Sequence, residues 1–293
     1  MDANDAGDAV RAGELATEML AAAPDKFVAW FEAGLLSKAL GNWSEAIARN
    51  ERALSLITPE DIEEYDGQNP AAWNLGIAAT ALGDWATARR AWRAFGMTEF
   101  QEGDDPIDVD YGMSPIRLNP DRPSLTHQHV PHLGETEVVW CWRRSPAHAV
   151  IASVPLPESG HRFRDVVLHD GEPKGTRRLG DREVAVFDEL ALLESSGLPT
   201  WQAQIAGASP DDLEGLSQIV GPRGLGVDEW SGIRVMCSEC SHGSPDADHS
   251  HDPPPSDVKR LGLAGSELDL GECLARWSSE RPHLDVVDLE FLW

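Results

Sequence analysis

The chain has 293 residues, and its 50 Asp and Glu against 24 Lys and Arg give a formal net charge of −26. A hydrophobic content of 41% is enough for real cores and excludes global disorder; roughly 150 residues per domain points to two domains or three small ones. The charge disfavours nucleic acid and anionic membranes as partners, because both repel an acidic chain at long range.

What the charge favours is solubility and basic partners, or it reflects an acidic proteome or a halophilic habit. No run approaches 18 apolar residues, so no transmembrane helix is expected. Residues 1–25 carry Asp2, Asp5, Asp8 and Glu14 with no basic stretch, so no signal peptide is expected either. A cytoplasmic location follows. Only four Cys occur, which in that compartment argues for metal or redox chemistry over a disulfide scaffold.

The first elements repeat. Gly34 recurs as Gly76, Leu40-Gly41 as Leu82-Gly83, Trp43 as Trp85 and Ala46 as Ala88, an offset of 42. A half copy lies earlier, at Gly7-Asp8 and Ala12. The types suit paired helices: Gly34 and Gly76 permit close approach, and Gly41 and Gly83 end the first helix at a tight turn. Ala46 and Ala88 fall at the closest crossing of the second helix.

This pattern resembles the tetratricopeptide repeat (TPR) over about residues 5–98. The family period of 34 implies about eight extra residues around Ile62–Gln68, and Ala33 stands where the family prefers Leu. The resemblance implies a helical scaffold whose concave face binds an extended protein segment. The positions it assigns to that face are Val28, Phe31, Leu35 and Lys38 in the first copy, and Pro70, Trp73, Ile77 and Thr80 in the second. With so few helices needing caps, the occupant is either a partner protein or peptide, or the chain's own C-terminal half.

Residues 99–134 are crowded with acids and broken by Pro106, Pro115, Pro120, Pro123 and Pro131, and read as a long surface connection. From Glu137 the hydrophobic period turns to two. Strands are expected at Val138–Trp142, Ala149–Val154, Asp165–Leu168, Gly175–Leu179 and Val184–Phe187. Five short strands suggest a small barrel over 135–198, with Trp140, Trp142 and Phe187 inside.

Residues 199–293 alternate differently. Thr200–Ala206 reads as a strand, Ser209 caps a helix running to about Val220, and Ile233–Met236 and Val258–Leu263 read as strands. Ser266–Ser279 reads as a second helix and Leu284–Leu292 as a closing strand. The order β-α-β-β-α-β matches a ferredoxin-like arrangement. The fold class expected for the whole is therefore α+β and multidomain: helical repeats over 1–98, the connection over 99–134, a small β domain and a ferredoxin-like domain.

One constellation has the spacing for chemistry. Cys237 and Cys240 form a C-x2-C pair, followed by His242, His249 and His251 on a polar loop. Zinc takes four S and N ligands in a tetrahedron, which Cys237, Cys240, His249 and His251 can supply, with His242 as the alternative fourth ligand. A closed set would be structural, an open position would suit exchange or catalysis, and without metal the thiols sit beside a polar loop. The group His127, His129 and His132 has no adjacent thiol and reads as solvated. Ser159, His161 and Asp165 lie in one turn, which is not how a catalytic triad assembles.

Two functions are weighed. The first is a cytoplasmic protein–protein interaction adaptor on a short TPR scaffold with a zinc-stabilised C-terminal domain. The second is a metal-dependent enzyme or metal-responsive regulator using the Cys/His loop. The first is preferred, with no catalytic residue assigned.

Overall fold

The computed structural model describes residues 9–120, 136–231 and 258–293. Among the described residues the first six helices are α1 (Ala9–Ala22), α2 (Phe27–Ala39), α3 (Trp43–Leu56), α4 (Pro59–Glu64), α5 (Pro70–Ala81) and α6 (Trp85–Phe95). The pairs α2/α3 and α5/α6 turn identically. Gly41 and Gly83 take φ of 70° and 66°, a region that costs glycine little. In each turn two amides reach back: Asn42 N–H to the Ser37 carbonyl and Gly41 to Lys38, then Asp84 to Ala79 and Gly83 to Thr80. This double closure satisfies the last carbonyls of the helix.

The helices touch where side chains are smallest. A Cβ added at Gly76 would lie 2.4 Å from the Trp92 ring, and one at Gly34 would lie 2.7 Å from Asn50. Ala46 and Ala88 are fully buried. The extra residues of the longer spacing form α4, started by a capping box between Thr58 and Asp61.

The next module is a closed barrel of five strands, in the order β1 (Met113–Leu118), β2 (Glu137–Arg143), β3 (His148–Ile151), β4 (Val166–His169) and β7 (Phe187–Glu194). Three of the five expected strands take part. β5 (Thr176–Leu179) and β6 (Arg182–Ala185) instead form a separate hairpin. Closure comes from β1, inside the segment read as a connection, which lies parallel to β7 at Ile116 and Phe187. Pro115 hides this strand in the sequence, since proline cannot donate to a ladder. Its antiparallel neighbour is Trp140, whose own N–H and carbonyl are engaged by Ser153 and Ala152, so the missing donor leaves nothing unpaired there.

The barrel interior also differs from expectation. It holds Ile116, Leu118, Val139, Cys141, Ala149, Ile151 and Val167. Val139 and Cys141 point in, so the alternation of β2 turns Trp140 and Trp142 outward; Trp142 is 47% exposed. Phe187 packs elsewhere, stacked on His169 at 5.3 Å and beneath the Arg143 guanidinium.

The C-terminal module runs β8 (Thr200–Ala206), α7 (Pro210–Val220), β9 (Gly226–Glu229), β10 (Val258–Ala264), α8 (Glu267–Ser279) and β11 (Asp285–Phe291). Its sheet has the order β11-β8-β10-β9 with antiparallel neighbours throughout. Trp201, Ala203, Ile205, Leu261 and Leu263 meet Leu216, Leu270 and Trp277 of the two helices in one core. Both helices start at serine caps, Ser209 and Ser266. The expected strand Ile233–Met236 lies outside the described residues; the strand in that slot of the sheet is β9, immediately after the Gly221–Gly224 turn.

The three modules pack on one another. Ile77, Ala88 and Trp92 share a core with Ala147 and Leu168 of the barrel. Val154 and Phe163 of the barrel share another with Trp230 and Ala264. Among the described residues, no helix is long and apolar enough to cross a membrane.

Candidate functional site

The residues assigned to the concave helical face lie together, and their contacts are internal. Phe31 is buried, stacked on Phe27 at 5.5 Å and set edge-on to Tyr65, with Leu35 against the same cluster. Lys38 donates to Asp170, just after β4, at 3.0 Å. Trp73 meets Trp92 at 5.2 Å and Phe95 at 4.7 Å and lies so close to Gly171 that a Cβ there would sit 1.9 Å from its ring. Ile77 is fully buried against the barrel. Thr80 is buried and donates its hydroxyl to the Gly76 carbonyl. Val28 alone of the first set is well exposed, at 54%.

A large open space lies beside this face. A cleft of about 1060 Å³ opens where the three modules meet. The helical pair contributes Thr80 and Trp85; the barrel contributes Trp142, Arg144, His148, Phe163 and Arg164; α7 and the turn after it contribute Val220 and Leu225. No single module could form it. The wall is largely apolar and aromatic, with a few convergent polar groups, the usual character of a ligand site.

Local chemistry sets those polar groups. Trp142 is steadied by its indole N–H, which donates to Asp110 at 3.0 Å. Arg144 is paired with Asp108. His148 is buried beside the Trp85 ring, 5.4 Å away, and burial pushes its pKa down to about 4, so it is neutral at physiological pH. Arg164 makes no ion pair among the described residues; its guanidinium rests over Phe163 and against Gly224.

A second group of titratable residues lies where the barrel meets the C-terminal sheet. Glu137 accepts the Leu156 N–H at 2.9 Å, and Asp228 of β9 accepts the Val154 N–H. Burial drives Glu137 up to about 7 and Asp228 up to about 6. His161 donates from Nδ1 to the Ser159 carbonyl at 2.9 Å and from Nε2 to Glu189 at 2.7 Å. Burial works against its charge, but Glu189 prevails and the pKa is raised. Ser159 turns its hydroxyl to the Leu156 carbonyl, and Asp165 accepts the amides of Arg162 and Ser196. The Ser159–His161–Asp165 turn is thus a structural corner with no nucleophile–base contact.

Cys237, Cys240, His242, His249 and His251, and the group His127, His129 and His132, lie outside the described residues. Among the described residues, no three His, Cys, Asp or Glu side chains are grouped as a metal site. Cys141 and Cys273 are free and buried. Sequence reasoning missed the cleft. The available signal was the run Trp142-Arg143-Arg144 with His148 close behind, a cationic and aromatic cluster in a strongly acidic chain.

Neither a family model nor a curated protein matches the chain. A solved structure described as a novel crystal structure of a hypothetical protein from Neisseria gonorrhoeae is similar at 13% identity, covering 61% of this chain and 95% of that one, with a TM-score of 0.22. At that score the likeness carries no argument about fold or function.

Proposed function

We propose that this protein is a non-catalytic interaction adaptor of the cytoplasm that takes its partner in the three-module cleft. In this reading the N-terminal hairpins are TPR-like and the C-terminal module is ferredoxin-like, the latter supported by its strand order and two-helix face. The concave helical face holds the chain's own barrel, a role supported by the Lys38–Asp170 pair and by Trp73 over Gly171. What carries the proposal is the cleft itself: about 1060 Å³, walled by all three modules, with the Trp142 ring half-exposed within it. Exposed aromatics in concave sites are strong anchors for a partner.

The loop carrying Cys237, Cys240, His249 and His251 enters the proposal as a zinc-stabilised insert between β9 and β10, resting on the chemistry of its donor set alone.

Photo-cross-linking tests the reading. A benzoylphenylalanine placed at Trp142 should give one discrete protein adduct in the native cell. The same group at Phe291, 58% exposed on β11, should not. Equal adducts from both positions, or none from Trp142, would remove the cleft as the recognition site.

A further inference from the structure

The polar groups of the cleft are fixed in a way that selects what can bind. The Ser145 hydroxyl oxygen accepts two backbone amides, Ala147 at 3.1 Å and His148 at 3.0 Å. Those bonds occupy both of its lone pairs. Its proton is therefore left to donate to His148 Nδ1, 2.6 Å away. With Nδ1 as acceptor in a neutral ring, the imidazole hydrogen sits on Nε2. His148 thus offers one fixed N–H donor to the cleft and no acceptor.

The second donor is Arg164, held in an unusual backbone conformation. Its φ of 67° is sterically unfavourable for any residue with a Cβ. The turn is enforced from several sides. The Asp165 carboxylate accepts the Arg162 and Ser196 amides, the Arg162 carbonyl accepts the Asp165 amide, and Arg164 N–H bonds the Ile151 carbonyl. A conformation that suits glycine instead carries a guanidinium into the cleft, with no carboxylate partner among the described residues. Strain of this kind is commonly retained where a side chain must be presented.

We propose that the cleft recognises a carboxylate carried next to an apolar side chain on a protein segment, with Arg164 and His148 Nε2–H as its donors and Trp142 and Phe163 as the apolar wall. This rests on the cleft being the recognition site. Two carboxylates also line the cleft, Asp108, which is paired with Arg144, and Glu194; the rest of the net charge of −26 is screened beyond about 8 Å at physiological salt. The carboxylate can come from a chain terminus or from an Asp or Glu side chain, and the experiment separates the two.

Calorimetric titrations at neutral pH would use three peptides: acetyl-Gly-Leu-Phe as free acid, the same peptide as its amide, and acetyl-Asp-Leu-Phe amide. Saturable binding of the first with the amide about tenfold weaker or worse identifies a terminal carboxylate; binding of the third identifies a side-chain one. Arg164→Gly suits the left-handed backbone and so keeps the fold, but should weaken the bound acid about tenfold to hundredfold, whereas Arg164→Lys should recover much of it. Equal binding of the acid, its amide and the Asp peptide, or an unchanged Arg164→Gly titration, overturns carboxylate recognition while leaving the cross-link at Trp142 to stand. No saturable binding of any peptide overturns it as well.

Discussion

Lys38 and Asp170 are 132 residues apart in sequence, and their side chains meet at 3.0 Å, joining helix α2 to the end of strand β4. Both groups are largely buried, at 13% and 17% exposure. Burial alone would raise the Asp170 pKa, but the Lys38 charge and the Gly171 amide outweigh it and hold it low. The contact is the polar part of an otherwise apolar seam formed by Ile77, Trp92, Ala147 and Leu168.

Lys38→Met should destabilise the protein by about 1–3 kcal/mol, because it leaves a buried carboxylate with only backbone donors. Adding Asp170→Asn should restore part of the loss. Urea unfolding checks this. A single variant as stable as wild type would mean the pair contributes nothing to the seam.

Gly76→Ala should cost about 1–3 kcal/mol through overpacking, since the new methyl would meet the Trp92 ring. Trp92→Leu should be harmful alone, yet the two changes together should cost less than their sum. Melting curves of the four proteins give the coupling, and strict additivity would contradict the close approach of α5 and α6.

Glu137 and Asp228 should make stability fall as pH rises from about 4 to 7. Glu137 and Asp228 have folded values near 7 and 6, above their unfolded ones, so the native state holds extra protons. Their contribution is complete below about 4 and is lost as pH rises through 6 and 7. The charges facing Glu137 are Asp228, Glu158 and His161, and His161, with its own raised pKa, acts in the same direction. Two histidines act in the opposite direction over an overlapping range. His148 and His169 are held down near 4 and 3 by burial, so their contribution is lost as pH falls below about 6.5. Glu137→Gln with Asp228→Asn should flatten the alkaline slope and gain on the order of 2 kcal/mol at pH 8. An unchanged slope would mean the two carboxyls ionise freely in the fold.

Purified protein should carry about one zinc ion per chain, by elemental analysis, if Cys237, Cys240, His249 and His251 close around it. Cys237→Ser with Cys240→Ser should abolish it, His127→Ala should keep it, and acid stripping should lower the melting temperature, since the ligands must lose protons to bind. Metal that survives the double serine change would remove the assignment.

Much of the fold was legible because its signals are local. Gly41 and Gly83 mark helix ends since only glycine takes their φ cheaply, Ser209 and Ser266 mark helix starts through bonds three residues long, and Ala46 and Ala88 mark crossings that admit no larger side chain. Periodicity of two identified β2, β3 and β4, and in the C-terminal module β8, β10 and β11, whereas β9 was not read as a strand. Other features depend on partners far along the chain. Pro115 reads as a break until Trp140 is seen to need nothing from it; the facing of Trp142 depends on which side of β2 the barrel closes; and Lys38 and Trp73 acquire their occupants from residues about a hundred positions away. The cleft is the extreme case, because its walls come from three modules. Side-chain chemistry and local backbone preference are written residue by residue, so the sequence determined the helices, their caps and several of the strands, while β1, β7 and β9 escaped it. Which faces meet depends on burying apolar surface between segments with no fixed spacing, so the barrel's closure and the cleft were decided only by the tertiary structure.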